Sequence, residues 1–480
     1  MRSAENFLRW KPVDAATNTA KEPKFQMYLF IQSVIKESIN STHISRLIAA
    51  VIGFERLEPY DGKLSRTVLR GGAGSNVLPL PDYASVEAML NPQLKGKAIA
   101  VCGATEDRHG IVLAKSELAK RAGVKTGMVN SEAKQLCPDI IMVPPQYDQY
   151  LKYSRLAHEI YYRYTDLVEP YGMDECFLDV TGSGIFGSGV EIAEQIRAAT
   201  KSELGLTVSV GVSYNKIFAK LGSDMKKPDA ITAITEDNYR EKVWPLAASD
   251  LLYVGRATDA KLAKYGIHTI GQLAATDPEN LRYWFGVNGL KLWQFANGAD
   301  VSRVMHKDFV SPVKSIGHGI TCTADLKDED EVQKVMLELS QDVGHRLRVH
   351  GLAATGVQVS IRGNDLFGSQ FQCKLPFKTQ LPSEISSAGF SLFRERYRWN
   401  TKVRAVCIRA IDLVPKNDVE QLSMFIDTAK RDRRERLEDT VEDIRRRFGK
   451  RAITYALLMN DLKMPDDGRD KVRMPGQMYQ

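Results

Sequence analysis

Apolar runs of strand period and of helix period take turns between Val77 and Ile234, and a chain written that way has little choice but to build a sheet and cover it with helices. "KAIAVCG", "CFLDV" and "LTVSVGV" are the strand-like pieces, while "LAKSELAKRAG" and "EIAEQIRAATKSEL" are helix-like. At the head of one strand stand two adjacent acids, Asp174 and Glu175, directly before Cys176, Phe177, Leu178 and Val180. An isolated carboxylate is costly to remove from water, so the pair belongs to a solvated strand end, to a bound cation, or to both. Neighbours on a regular strand point to opposite faces, so both acids reach one centre only at a strand end, turn or bulge. Tyr171 and Gly172 supply an irregular start of that kind. A hard cation such as Mg²⁺ prefers carboxylate and phosphate oxygens, which suits an acid pair.

Residues 1–76 end in the turn-prone stretch "LRGGAGSN" and carry no recognisable motif. Beyond the alternating unit, "LLYVGRATDAKLAKYGIHTIGQLAA" reads as helix, Gly turn, helix, and a second short helical pair surrounds "FGVNG". From Val313 to Pro415 the period changes again. Val332, Val335, Met336, Leu339, Val343 and Leu347 share one helical face, whereas "TGVQVSIRG" and "VRAVCIRAIDLV" alternate with period two. The tail from Lys416 carries one apolar cluster, "QLSMF", then the mixed-charge run "KRDRRERLEDTVEDIRRRFGKRA", which predicts a solvated helix.

A chain of 480 residues has room for roughly three or four domains, and 43% hydrophobic content excludes a disordered protein. Net charge +7 and a pI near 8.9 permit a polyanionic partner, so local clustering decides. Between Arg362 and Arg409 nine basic residues face three acids, a credible phosphate footprint. The six cysteines form no C-x-x-C pair, which argues against a zinc site or disulfide framework and for a reducing cytoplasm. Lys36, Glu37 and Arg46 interrupt the most apolar N-terminal stretch, so neither a membrane helix nor a signal peptide is expected. In "VSVGVSYNKIFAKLGSDMKKPDAIT", a strand, Gly turn and helix, Lys216, Lys220, Lys226 and Lys227 lie mostly off the face of Ile217, Phe218 and Leu221. Lysines after a strand near a metal site suit phosphate as point charges, although Lys220 also reads as part of a solvated face.

Taken in order and spacing, "DYASVEAMLNPQLKGKAIAVCG", "AKRAGVKTGM", "YGMDECFLDVTGS", "SVGVSYNKIFAKLGSDMKKPDAI" and "VKSIGHG" resemble the Y-family translesion DNA polymerases of the bacterial UmuC/DinB type. The likeness covers roughly residues 77–450. It implies an α+β right-hand polymerase fold: start of palm and fingers at 77–145, palm at 146–245, a helical thumb with a helix-hairpin-helix at 246–305, and a separate α+β little finger at 312–415. The tail at 416–480 then carries a clamp-binding motif, and residues 1–76 stay unassigned. The implied activity is template-directed addition of dNMP to a primer 3′ end with Mg²⁺, tolerant of damage and tied to the SOS response. The implied partners are primer-template DNA, dNTPs and a sliding clamp.

Residue by residue, the resemblance makes Asp174 and Glu175 the catalytic, metal-holding acids of the palm, and Lys227 the lysine near the triphosphate. Tyr83 matches the aromatic gate that crowds a ribose 2′-hydroxyl. Lys120 keeps the charge of a triphosphate-binding Arg, while Glu117 departs from the family Tyr. Gly255, Arg256 and Lys314 fall among the DNA-backbone contacts, with only Gly255 left of the usual Gly pair. Gln421, Leu422, Ser423, Met424 and Phe425 are similar to the clamp-binding pentapeptide.

The pattern fails at one place. The family's first palm strand carries a metal-binding Asp five residues before the gate, and here Leu78 stands there, in "SNVLPLPDYASVE", with Pro79 and Pro81 opposing a central strand. Either Asp82 completes the site through a shortened turn, or the strand and its Asp are lost, leaving a catalytically impaired DNA- and clamp-binding protein. Another palm-like nucleotidyl transferase, such as a nucleotide cyclase, leaves the thumb, the basic little finger and "QLSMF" without a purpose.

Overall fold

The computed structural model describes residues 28–34, 83–108, 110–419, 428–459 and 461–465. Its first element, β1 (Tyr28–Val34), reads "YLFIQSV", a β-branched and aromatic run suited to a sheet interior. Helix α1 (Tyr83–Leu90) leads into the fingers, a small sheet of β2 (Ile99–Cys102), β3 (Val112–Lys115) and β4 (Ile141–Val143) in the order β3-β2-β4. Two short helices, α2 (Glu117–Arg121) and α3 (Asn130–Leu136), cover it.

Helix α4 (Tyr147–Tyr161) returns the chain to the palm, built from β5 (Val168–Pro170), β6 (Glu175–Asp179), α5 (Gly189–Leu204), β7 (Thr207–Ser213), α6 (Lys216–Met225) and β8 (Ile231–Ile234). The sheet order is β5-β6-β1-β7-β8, so β1 is the middle strand, antiparallel to β6 on one side and β7 on the other. The segment 1–76, left without a domain by the sequence, therefore supplies the centre of the palm. Its register sets Gln32 opposite Glu175 and Tyr28 opposite Asp179. The glycine of "VSVGV" forms no turn. Gly211 lies within β7, where a Cβ would come within 1.8 Å of Ala219 O, so it lets α6 lie directly on the sheet.

After α7 (Tyr239–Val243) come the thumb helices α8 (Arg256–Lys264), α9 (Ile270–Ala275), α10 (Pro278–Phe285) and α11 (Val287–Ala296). A connection without regular structure then runs to the little finger and is fastened to the palm. Lys216 Nζ donates to Arg303 O at 3.2 Å, Met305 N to Glu169 Oε2 at 2.8 Å, and Lys307 N to Asp166 O at 2.9 Å. The little finger consists of β9 (Ile316–Leu326), α12 (Glu329–Val349), β10 (Leu352–Gly363), β11 (Gly368–Thr379), α13 (Pro382–Arg396) and β12 (Val403–Pro415), with sheet order β11-β10-β12-β9. The helical face read from the sequence is its core: Val332, Val335, Met336, Leu339, Val343 and Leu347 are fully buried.

The charged tail run is indeed helical, as α14 (Thr428–Phe448), but it is docked rather than solvated. Arg348 pairs with Asp439 at 3.3 Å and His345 with Glu442 at 2.6 Å, Arg445 donates to Gln341, and the Arg431 guanidinium lies 4.4 Å over the Phe377 ring. Alternating charges on both α12 and α14 make this seam, a long-range match that a reading of α14 alone could not supply. No helix among the described residues is long and apolar enough to cross a membrane.

Candidate active site

The adjacent acids escape strand alternation because only one of them is in the strand. Tyr171 N and Gly172 N both donate to Glu175 O, at 2.8 and 3.0 Å, closing a tight turn that holds Asp174 at its tip and starts β6 at Glu175. Asp174 is half-buried and Glu175 is 1% exposed. Asp174 Oδ2 has no hydrogen-bond partner, and Glu175 Oε1 stands 3.4 Å from Lys220 Nζ. Burial, followed by the charge of Glu175, pushes the Asp174 carboxyl well above its usual range. Burial raises Glu175 as well, against the pull of Lys220.

Lys220 is no part of a solvated face. Its side chain is 2% exposed, between Glu175 and Asp224, whose carboxylate it meets at 2.5 Å. Burial works against charging this ammonium, but the two acids outweigh it and keep its pKa above normal. Lys227 closes the chain of charges, 2.6 Å from Asp224. Burial there wins, and the Lys227 pKa falls. Lys216, also buried, pairs with Glu169 at 2.7 Å and lies 4.9 Å from the centre of the Phe177 ring. Asp224 was missed in the sequence; its signal was the i, i+4 spacing from Lys220 and i, i+3 spacing to Lys227.

Tyr83 opens α1 and is wholly buried, its ring stacked on Tyr150 with centroids 4.1 Å apart. Its hydroxyl has no hydrogen-bond partner, and its pKa is raised by burial and by the charge of Asp174. Glu87, unassigned in "ASVE", is the brace beneath this tyrosine pair, accepting from Tyr150 Oη and from Gln146 Nε2 at 2.7 Å.

The remaining residues lie on separate elements. Lys120 and Glu117 pair with each other at 3.4 Å on the exposed side of α2. Gly255 caps α8 and Arg256 opens it, both exposed, and Lys314 is exposed just before β9. Asp82 and Gln421–Phe425 lie outside the described residues. Among those described, no group of three or more His, Cys, Asp or Glu side chains could hold a metal.

Residues 82–224 match the impB/mucB/samB family and residues 313–424 match the C-terminal domain of the same family. A DNA polymerase IV of Acetivibrio thermocellus is 46% identical over 380 residues, spanning 79% of this chain and 95% of the relative. The chain belongs to this family, the Y-family translesion DNA polymerases. DNA polymerase IV 2 of Bacillus subtilis is 37% identical over 383 residues, covering 78% of this chain and 91% of that one. The solved Y-family DNA polymerase chimera Dbh-Dpo4(243-245)-Dbh shares the fold at a TM-score of 0.63 and 21% identity, over 81% of this chain and 99% of that one.

The family match begins at residue 82, so β1 comes from upstream of the matched region. Its seven residues, Tyr-Leu-Phe-Ile-Gln-Ser-Val, include no acid. The α+β right-hand fold is thus complete as a sheet, with two described carboxylates at its chemical end.

Proposed function

We propose that this translesion polymerase adds dNMP to a primer 3′ end under template direction, using Mg²⁺ and dNTPs, with Asp174 and Glu175 as the metal-holding acids. The observation that carries this reading is the orphaned, buried oxygen of Asp174 beside Glu175 at the head of β6. Burial drives both carboxylates up in pKa, and Glu175 adds to the push on Asp174, beyond what Lys220 and Lys227 offset; a divalent cation is the kind of charge that relieves both. When bound, such an ion polarises phosphoryl oxygens. The protein's part is to hold the two acids at a fixed turn, to keep Lys220 between Glu175 and Asp224, and to set Lys227 nearby for triphosphate. Tyr83 selects the sugar, Lys120 assists the triphosphate, and Gly255, Arg256 and Lys314 hold DNA backbone. In the cytoplasm, Gln421–Phe425 engages a sliding clamp through Leu422 and Phe425.

A second reading, a catalytically impaired DNA- and clamp-binding protein, is favoured by one observation: the strand in the middle of the palm has no carboxylate. Mg²⁺ asks for near-octahedral oxygen ligands, so a missing acid weakens its hold. Primer extension with Mg²⁺ and dNTPs on an undamaged template separates the two. Extension abolished by Asp174→Ala supports the polymerase. No extension from a folded, DNA-binding chain supports the second reading, and extension gained by Gln32→Asp, at the register position opposite Glu175, then identifies the missing acid as the cause.

A further inference from the structure

The described residues of the loop from β2 to β3 in the fingers are held by hydrogen bonds and close packing. Buried Asn130 donates from Nδ2 to Gly103 O at 3.1 Å and to Thr105 Oγ1 at 2.9 Å, and Arg108 N donates to Thr105 O at 3.0 Å. Gly110 packs so tightly here that a Cβ would come within 2.7 Å of the Thr105 hydroxyl oxygen. Arg108 sits at φ 61°, in the left-handed region that an L side chain adopts at a cost. From this support its guanidinium pairs with Asp325, near the end of β9 in the little finger. The two residues are 217 apart in sequence. Their side chains are 29% and 22% exposed, so the pair is shielded but within reach of solvent.

The tail secures Asp325 from the other side. Thr323 N donates to Lys463 O at 2.8 Å, while Lys463 Nζ donates to Asp325 O at 3.4 Å and pairs with Glu331. Leu462 is buried, and Met464 packs against the little-finger core. The apolar cores of fingers and little finger share no residue, so polar contact rather than a sealed apolar seam joins them at this point. With the connection at 303–307 fastened to the palm, the little finger is tethered at both ends.

We infer that the Arg108–Asp325 pair is a clasp between fingers and little finger that retains bound duplex DNA, opening to admit it and reclosing behind it. The inference rests on the DNA-binding reading above. An ion pair suits the task because it is directional and reversible, and because loss of a contact that holds a complex closed acts mostly on dissociation.

The test is stopped-flow anisotropy on a labelled primer-template duplex without nucleotide, so that no step depends on catalysis. Arg108→Gln and Asp325→Asn should each speed dissociation about three- to tenfold, with little change in association. Single charge reversals should behave likewise, and the double reversal Arg108→Asp with Asp325→Arg should restore slow release, a rescue that a merely unfolded loop could not give. Unchanged dissociation in both neutral variants overturns the clasp while leaving DNA binding intact. Faster association with unchanged dissociation also overturns it, because the pair would then be a barrier to entry. Failure of the wild-type chain to bind duplex removes both the DNA-binding reading and the clasp.

Discussion

Asp174 in the palm and Asp342 in the little finger are both acids withdrawn from water, and their surroundings push them in opposite directions. Asp342 meets His318 at 2.6 Å and is paired with Lys450 of the tail, so although burial opposes its charge, the hydrogen bond from His318 and the charge of Lys450 hold its carboxyl far below the usual range. Asp174 has an orphaned oxygen and a second acid as its neighbour, and is pushed up. The first arrangement is closed and supports the fold. In the second, which is open at the orphaned oxygen, burial and the neighbouring acid outweigh the pull of Lys220 and Lys227. Buried acids of the same type thus differ by whether a paired cation or a second acid lies beside them.

The largest expected effect breaks the comparison at its open end. Asp174→Asn should reduce primer extension by about a thousandfold or more, the scale at which a transition-state charge interaction is lost. It should leave thermal stability unchanged or raise it, because the amide removes a desolvated charge. A melting temperature that falls along with activity would place Asp174 among the structural acids, beside Asp342.

A proline at Phe30 tests where the palm gets its centre. In the middle of a sheet a proline removes a ladder hydrogen bond and is not tolerated, so Phe30→Pro should lower the melting temperature of the palm sharply. Wild-type stability would show that residues 28–34 do not make the sheet, and the central strand would have to be sought elsewhere.

The closed end gives a smaller effect. Asp342→Asn should cost about 2 kcal/mol, the scale of a charge-assisted hydrogen bond, and loosen α14, read as faster amide exchange in 428–448 with extension on short templates unaltered. The pH dependences should also oppose each other. Asp342 and Glu442 have lowered pKa values, so their stabilisation is present above the unfolded carboxylate pKa of about 4 and is lost as pH falls below it. Asp174 has a raised pKa, so the folded palm binds its proton more readily and gains stability as pH falls through that folded value. On acidification α14 should lose exchange protection while the palm around β6 does not.

These contrasts also mark what the sequence could show. The little finger was legible because its strands and helices follow one another locally, and the period of Val332 to Leu347 alone identifies the buried face of α12. The irregular start that brings the acid pair together was legible, because Tyr171 and Gly172 mark the turn at the head of β6. The middle palm strand was not, since β1 pairs with strands more than 140 residues downstream, and nothing in "YLFIQSV" names its partners. The burial of Lys220 was not legible for a similar reason: a lysine off the apolar face of its own helix reads as phosphate-facing or solvated, but Glu175 on a strand draws it inside. The docking of α14 likewise depends on charges in α12 that helical periodicity does not record.

The smallest expected effect concerns a neutral group in the same open region. The Tyr83 hydroxyl is buried without a partner, and Asp174 is one of the charges disfavouring its ionisation. A buried, unsatisfied hydroxyl costs about 1–3 kcal/mol, whereas the ring itself is stacked on Tyr150 and fully packed. Tyr83→Phe should therefore keep the stacking and raise stability by about 1 kcal/mol, a shift of a few degrees in a thermal melt. Discrimination between rNTP and dNTP should stay as it is, because a gate acts through the bulk of the ring and the ring remains. Tyr83→Ala should relax that discrimination and also destabilise the cluster by about 3–5 kcal/mol, so it must be read beside the phenylalanine variant. If Tyr83→Phe instead lowers stability and disturbs sugar choice, the hydroxyl has a partner in the working site, and Tyr83 belongs with the paired groups exemplified by Asp342.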